Sequence, residues 1–214
     1  RTRIVYVSNP SNPTGSYNSG EEIRRLHAAL PAHILLVVDE AYAEFVVEPD
    51  WETAFPLARD AANIVVTRTF SKIHGLGGLR IGFGYAPLKV AEAVDRIRLP
   101  FNVSVPGLEA ATAALGDEAH QKASRDLVQA WRPRLTQAIR GFGFEVMPSA
   151  GNFVMVRFPD EARNATAAND YLNGKGIIVR AVGGYGLPDC LRITIGTEDQ
   201  NRAVIDALSE FAAR

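Results

Sequence analysis

Residues 34–42 read ILLVVDEAY, and the fold turns on this stretch. Ile34 to Val38 form a continuous apolar run with no polar alternation. Such a run suits a strand covered on both faces, the pattern of a parallel sheet flanked by helices. The run stops abruptly at Asp39-Glu40. The same design recurs on either side. Upstream, Ile4 to Val7 is apolar and ends in a loop rich in Asn, Pro and Gly. Between the two runs, Glu21 to Leu30 has helical spacing (Ile23, Leu26, Leu30), with Ser19 placed to cap it. Downstream, Ile64-Val65-Val66 leads into Thr69-Phe70-Ser71-Lys72, and Ile81 to Tyr85 is a fourth strand candidate. The expectation is an α/β fold with a mainly parallel sheet.

The pattern then changes. Pro87 to Arg98 reads as an amphipathic helix, and Pro100 to Pro106 breaks it. Gly107 to Leu115 begins a second helical stretch that runs on toward Ala138. An α+β pattern follows: strands at Phe142–Val146, Asn152–Phe158, Ile177–Val179 and Leu191–Ile195, with helices at Ala162–Asn173 and Glu198–Ala213. A boundary near residue 125 is expected, dividing a partial α/β domain (1–125) from a smaller α+β domain (126–214). No internal repeat or low-complexity segment interrupts either part.

Composition narrows the function classes. Of 214 residues, 47% are hydrophobic and 22% charged, ordinary for a globular protein. A net charge of -1 supplies no broad field for nucleic acid or an acidic membrane, so neither is an expected partner. No apolar run approaches the roughly 18 residues of a spanning helix. Cys190 is the sole cysteine, so no disulfide can form within the chain, and a cytoplasmic setting is expected. The chain opens on Arg1-Thr2-Arg3 and passes directly into an apolar strand, which suggests that an earlier part of the protein is missing.

Three strands end in unusual polar chemistry: Asn9-Pro10-Ser11-Asn12-Pro13-Thr14-Gly15, Asp39-Glu40-Ala41-Tyr42, and Ser71-Lys72 followed by a Gly-rich stretch and Arg80. Taken singly, each has a plain reading as a turn, a helix cap or a surface lysine. In open parallel sheets, however, ligands bind at the carboxyl ends of the strands. Together these groups meet the needs of pyridoxal phosphate. Lys72 supplies the amine that holds the cofactor, and Asp39 a carboxylate for the pyridine nitrogen. Asn12 and Tyr42 bind the ring oxygen, and Ser71 and Arg80 the phosphate. No metal is expected.

NPSNPTG (9–15), DEAY (39–42), SKIHGLGGLRIGF (71–83), SAGNF (149–153) and GYGLPDCLRITIGT (184–197) occur here in one order. This chain resembles the fold-type I aminotransferases, the histidinol-phosphate aminotransferase family in particular. The resemblance implies part of a pyridoxal-phosphate transferase large domain with a smaller C-terminal α+β domain. It implies that Lys72 holds the cofactor and shuttles the proton, and that Arg192 grips the substrate α-carboxylate. Arg180 would take the substrate's distal phosphate, and Asn152 would sit near the carboxylate. His74 and Glu40 are read as structural, and Cys190 as a buried small residue.

The implied reaction moves an amino group from glutamate to a phosphorylated imidazole ketone, a step of histidine biosynthesis, in a homodimer. Aromatic amino-acid transamination and decarboxylation by a pyridoxal-phosphate enzyme of the same family are alternatives. A different class is a non-catalytic, effector-sensing domain of a transcription regulator. In the family, the N-terminal part supplies a phosphate loop, a ring-stacking aromatic and a closing arm, none of which is found in this sequence. The chain alone is therefore expected to fall short of the complete site.

Overall fold

A computed structural model describes residues 1–158 and 161–214. The chain divides into two compact units. One comprises Arg1–Pro10 with Tyr17–Ser124, and the other Ser11–Ser16 with Arg125–Arg214.

The first unit holds β1 (Ile4–Ser8), α1 (Gly20–Ala29), β2 (Leu35–Asp39), α2 (Phe55–Asp60), β3 (Ile64–Thr69), β4 (Gly82–Tyr85), α3 (Leu88–Ile97) and α4 (Val105–Leu115). Its sheet runs in the order β1-β2-β3-β4. The first three strands are parallel, and β4 returns antiparallel to β3. The parallel register carries the apolar runs side by side, with Val7, Val38 and Val66 in one row. Side chains alternate faces along a strand. Leu36, Val38, Ile64 and Val66 therefore share a face, and it packs against Ile23 of α1 and Ala58 of α2. Ile4 and Tyr6 lie on the other face of β1, where Tyr6 is 72% exposed. Helix α1 starts where the sequence says it should: Ser19 and Glu22 form a reciprocal capping box.

Helix α3 is amphipathic, yet Leu88 and Ile97 on it are exposed. Phe101, just beyond, is 98% exposed and holds a positive φ of 57°.

Helix α5 (Glu118–Gly141) begins in the first unit and continues into the second. The second unit adds β5 (Glu145–Met147), β6 (Phe153–Arg157), α6 (Ala165–Gly174), β7 (Arg180–Ala181), β8 (Cys190–Thr194) and α7 (Glu198–Ala212). Its sheet has the order β5-β6-β8-β7 and is antiparallel throughout. Val128, Trp131, Leu135 and Ile139 of α5 are buried at helical spacing. Phe144, Phe158 and Phe211 cluster beneath the sheet, the first two with ring centroids 4.7 Å apart.

Several local expectations change. The helical stretch expected from Gly107 toward Ala138 is two helices, α4 and α5, and the strand expected at Phe142–Val146 is Glu145–Met147. Ile177–Val179 is not a strand; the ladder begins at Arg180, and Ile178 is 89% exposed. An apolar triplet without flanking pairing partners carries no strand by itself. Helix α2 was not expected, since six residues offer too little periodicity, but Pro56 in its first turn suits a helix start.

Candidate active site

The first unit holds five of the expected residues, Asp39, Tyr42, Ser71, Lys72 and Arg80, beyond the carboxyl ends of β2 and β3. Asp39 ends β2 on the open face of the sheet, level with Ser8 of β1 and Thr67 of β3. Its backbone is fixed on both sides: Asn9 N donates to Asp39 O at 2.8 Å, and Glu40 N donates to Thr67 O at 3.0 Å. One carboxylate oxygen accepts the Ala41 amide at 3.1 Å, while the carboxylate as a whole stays exposed. Tyr42, three residues on, is buried. The Lys72 ammonium stands 5.2 Å from the centre of the Tyr42 ring. Among the described residues, Lys72 has no hydrogen-bond acceptor and no ion-pair partner.

The loop from Ser71 to Arg80 is closed at its base, where Phe70 N donates to Ile81 O at 3.1 Å and Leu76 N to Phe70 O at 2.9 Å. Gly77 lies close to each of the two expected phosphate ligands. A Cβ on Gly77 would stand 3.9 Å from Ser71 Cβ, and Gly77 O accepts from Arg80 Nη1 at 2.6 Å. Arg80 is exposed and holds a left-handed backbone with φ 53°. For a non-glycine residue that conformation costs energy, and such strain collects at functional sites. His74, read as structural, has its ring 4.9 Å from that of Phe70, and its Nδ1 is buried with no partner among the described residues.

The second unit gathers the remaining residues. Asn12 belongs to the Ser11–Ser16 loop, which packs on this unit. Ala150 N donates to Gly15 O at 2.8 Å, so NPTG and SAGNF lie against each other. The Asn12 side-chain oxygen accepts a hydrogen bond from Arg192 Nη1. Arg192 also sits over the Phe153 ring at 5.0 Å, and its Nε is buried with no partner among the described residues. Arg180 is directly opposite Arg192 in the β7–β8 register. Like charges at opposed positions repel, and a bound anion relieves that repulsion. Asn152 precedes β6, and its backbone oxygen accepts from Ile195 N at 2.9 Å.

The donor set fits pyridoxal phosphate. The first unit offers an amine with no hydrogen-bond acceptor among the described residues, an exposed carboxylate fixed at its backbone, and a serine and an arginine near one glycine. The sequence singles these out because they follow the apolar runs that read as strands. Sequence reasoning missed Arg68, which continues the Ile64, Val66 alternation onto the packed face and forms ion pairs with Glu40 and Glu44.

The family model for aminotransferase class I and II matches residues 1–208. The chain belongs to this family. This class I and II aminotransferase chain is 55% identical over its whole length to histidinol-phosphate aminotransferase 1 of Caulobacter vibrioides, covering 60% of that protein. It is 47% identical to the histidinol-phosphate aminotransferase of Nitrobacter hamburgensis, covering all of this chain and 59% of that protein. Among solved structures, the Sinorhizobium meliloti histidinol-phosphate aminotransferase in complex with pyridoxal-5'-phosphate superimposes with a TM-score of 0.91. That match has 35% identity and covers 99% of this chain and 57% of that one. The aminotransferase chain thus spans about 60% of the length of the curated relatives it matches.

Proposed function

We propose that the intact protein transfers an amino group from glutamate to a phosphorylated imidazole ketone, with pyridoxal phosphate as cofactor. The observation that carries this reading is the Lys72 ammonium, which stands over the Tyr42 ring in the turn after Asp39 and has no hydrogen-bond acceptor or ion-pair partner among the described residues. Similarity to histidinol-phosphate aminotransferases at 55% and 47% identity supports the substrate assignment.

Lys72 would hold the cofactor and, once displaced by substrate, carry the proton between the substrate α-carbon and the cofactor carbon. Bound there, the cofactor supplies an electron-withdrawing ring that acidifies the substrate α-C–H. Asp39 would keep the ring nitrogen protonated. Tyr42 would donate to the ring oxygen. Asn12 would do the same through its amide nitrogen, since its oxygen already orients Arg192. Ser71 and Arg80 would hold the cofactor phosphate. Arg192, with Asn152 nearby, would take the substrate α-carboxylate as a fork, and Arg180 its distal phosphate.

A homodimer in the cytoplasm is part of the same reading. The exposed apolar residues Leu88, Ile97 and Phe101 support a further protein surface against α3, and the free buried thiol of Cys190 suits a reducing compartment.

The test is turnover by the intact protein with glutamate as donor. Arg192→Ala should cripple turnover with every amino-acid substrate while cofactor remains bound. Arg180→Ala should raise KM for the phosphorylated acceptor far more than for an unphosphorylated aromatic one. Equal losses for both acceptors would remove Arg180 from phosphate binding. Cofactor binding without any turnover would favour the effector-sensing alternative.

A further inference from the structure

The buried charges behind Asp39 play no part in the reaction just described. Strand alternation turns Asp39 to the open face and Glu40 to the face packed by α1 and α2. Glu40 is fully buried, and burial pushes its carboxyl above the usual carboxylate range, against the pull of its partners. Those partners are the Ala54 amide at 2.6 Å, the Thr53 hydroxyl at 2.8 Å and the Arg68 guanidinium, 2.8 Å away through Nη2 and 3.0 Å through Nε. The same guanidinium reaches Glu44 at 2.6 Å through Nη1 and lies 5.1 Å from the Phe55 ring centre. Side chains here are 14% exposed for Arg68 and 18% for Glu44.

One guanidinium therefore spans residues 40 and 44, the two ends of a turn whose middle residue is Tyr42. Within the turn, Ala43 N donates to Glu40 O and Phe45 N to Tyr42 O, both at 3.1 Å, and Glu40 N ties its start to Thr67 O of β3 at 3.0 Å. A buried ion pair is a poor source of net stability, because desolvation offsets its attraction, but it does demand one geometry. We propose that Arg68 is a positioning residue: by bridging Glu40 and Glu44 it holds this turn so that the Tyr42 ring stays beside the Lys72 amine. This rests on the cofactor reading above for its consequence, which is that Arg68 sets the phenol's hydrogen bond to the ring oxygen.

The test uses the intact protein in two arms. Hydrogen exchange is measured without cofactor for wild type, Arg68→Lys and Arg68→Met. The last leaves the buried Glu40 carboxylate without its cation, so Glu40→Gln/Arg68→Met, which removes both charges, is measured beside it. The expected result is exchange at Ala43 and Phe45 faster by on the order of tenfold in the Met variants. Exchange at Leu36 should be unchanged, and Arg68→Lys should recover part of the protection. In the second arm, the pH midpoint of the bound cofactor's visible absorbance should move in the same direction in Glu40→Gln/Arg68→Met as in Tyr42→Phe. Adding Tyr42→Phe to the pair should produce no further shift. Unchanged exchange at Ala43 and Phe45, loss of protection spread evenly over β2 and β3, or additive shifts would each overturn the proposal. A wild type that takes up no cofactor refutes the proposed function instead, and the exchange arm still decides whether Arg68 holds the turn.

Discussion

Replacing Gly15 by alanine should detach the NPTG loop from the second unit. Gly15 holds φ +79°, a conformation that costs an L-residue about 1–2 kcal/mol. Its Cβ would also collide with the Ser149 side chain, and it would stand 2.6 Å from Ser149 Cβ and 2.9 Å from Ser149 Cα. A side chain could rotate away, but the Cα belongs to backbone, so the loop itself must shift. Overpacking of that kind costs about 1–3 kcal/mol, giving a total of about 2–5 kcal/mol. The shift lengthens the bond from Ala150 N to Gly15 O and moves Asn12 off Arg192. Denaturant unfolding of Gly15→Ala and Gly15→Ala/Ser149→Gly measures the effect. The double variant removes the Cβ and Oγ contacts but leaves the backbone contact and the positive φ, so it should recover only part of the loss. A single variant within about 0.5 kcal/mol of wild type would refute the reasoning, because that is the range of an uninvolved surface change. Full recovery in the double variant would show that neither the backbone contact nor the φ contributes.

Other positions carry independent predictions. Leu36→Ala, at a fully buried site against α1 and α2, should cost about 2–5 kcal/mol by denaturant unfolding. Glu40 has a raised folded carboxyl value, so the native state binds its proton more tightly than the unfolded chain. Stability from this group should be greatest below its ordinary value of 4.5 and decline as pH rises from there through the raised folded value. Glu40→Gln should flatten that slope in unfolding curves taken across the window, and an unchanged slope would assign it to other groups. Ser71→Ala and Arg80→Ala should each weaken cofactor retention in dialysis, Arg80 more because it contributes a charge.

Much of the α/β frame is legible in the sequence because continuous apolar runs have few other uses. The two runs Ile34–Val38 and Ile64–Val66 fall in the strands Leu35–Asp39 and Ile64–Thr69, and the polar residues that follow them lie at one end of a parallel sheet. The Ser19 cap was legible for the same local reason. Pairing direction was not: nothing in Gly82–Tyr85 says that it runs antiparallel to β3, since its partner is fixed by the loop that returns it. Ile177–Val179 was misread because an apolar triplet does not reveal whether a neighbour will bond to it. In the site, residues that follow the apolar runs stood out, Lys72 and Asp39 among them. The direct opposition of Arg180 and Arg192 did not, because cross-strand register is a tertiary property. Arg68 was hidden by looking like one more charged residue on a strand; only its burial against Glu40 sets it apart.

The central claim is that Lys72 holds the cofactor. Borohydride treatment of the intact protein with pyridoxal phosphate, followed by peptide mapping, tests it directly. Loss of the visible absorbance is expected, with a stable label on the peptide carrying Lys72 that is absent in Lys72→Ala. A label on another lysine, or no label at all, would contradict it.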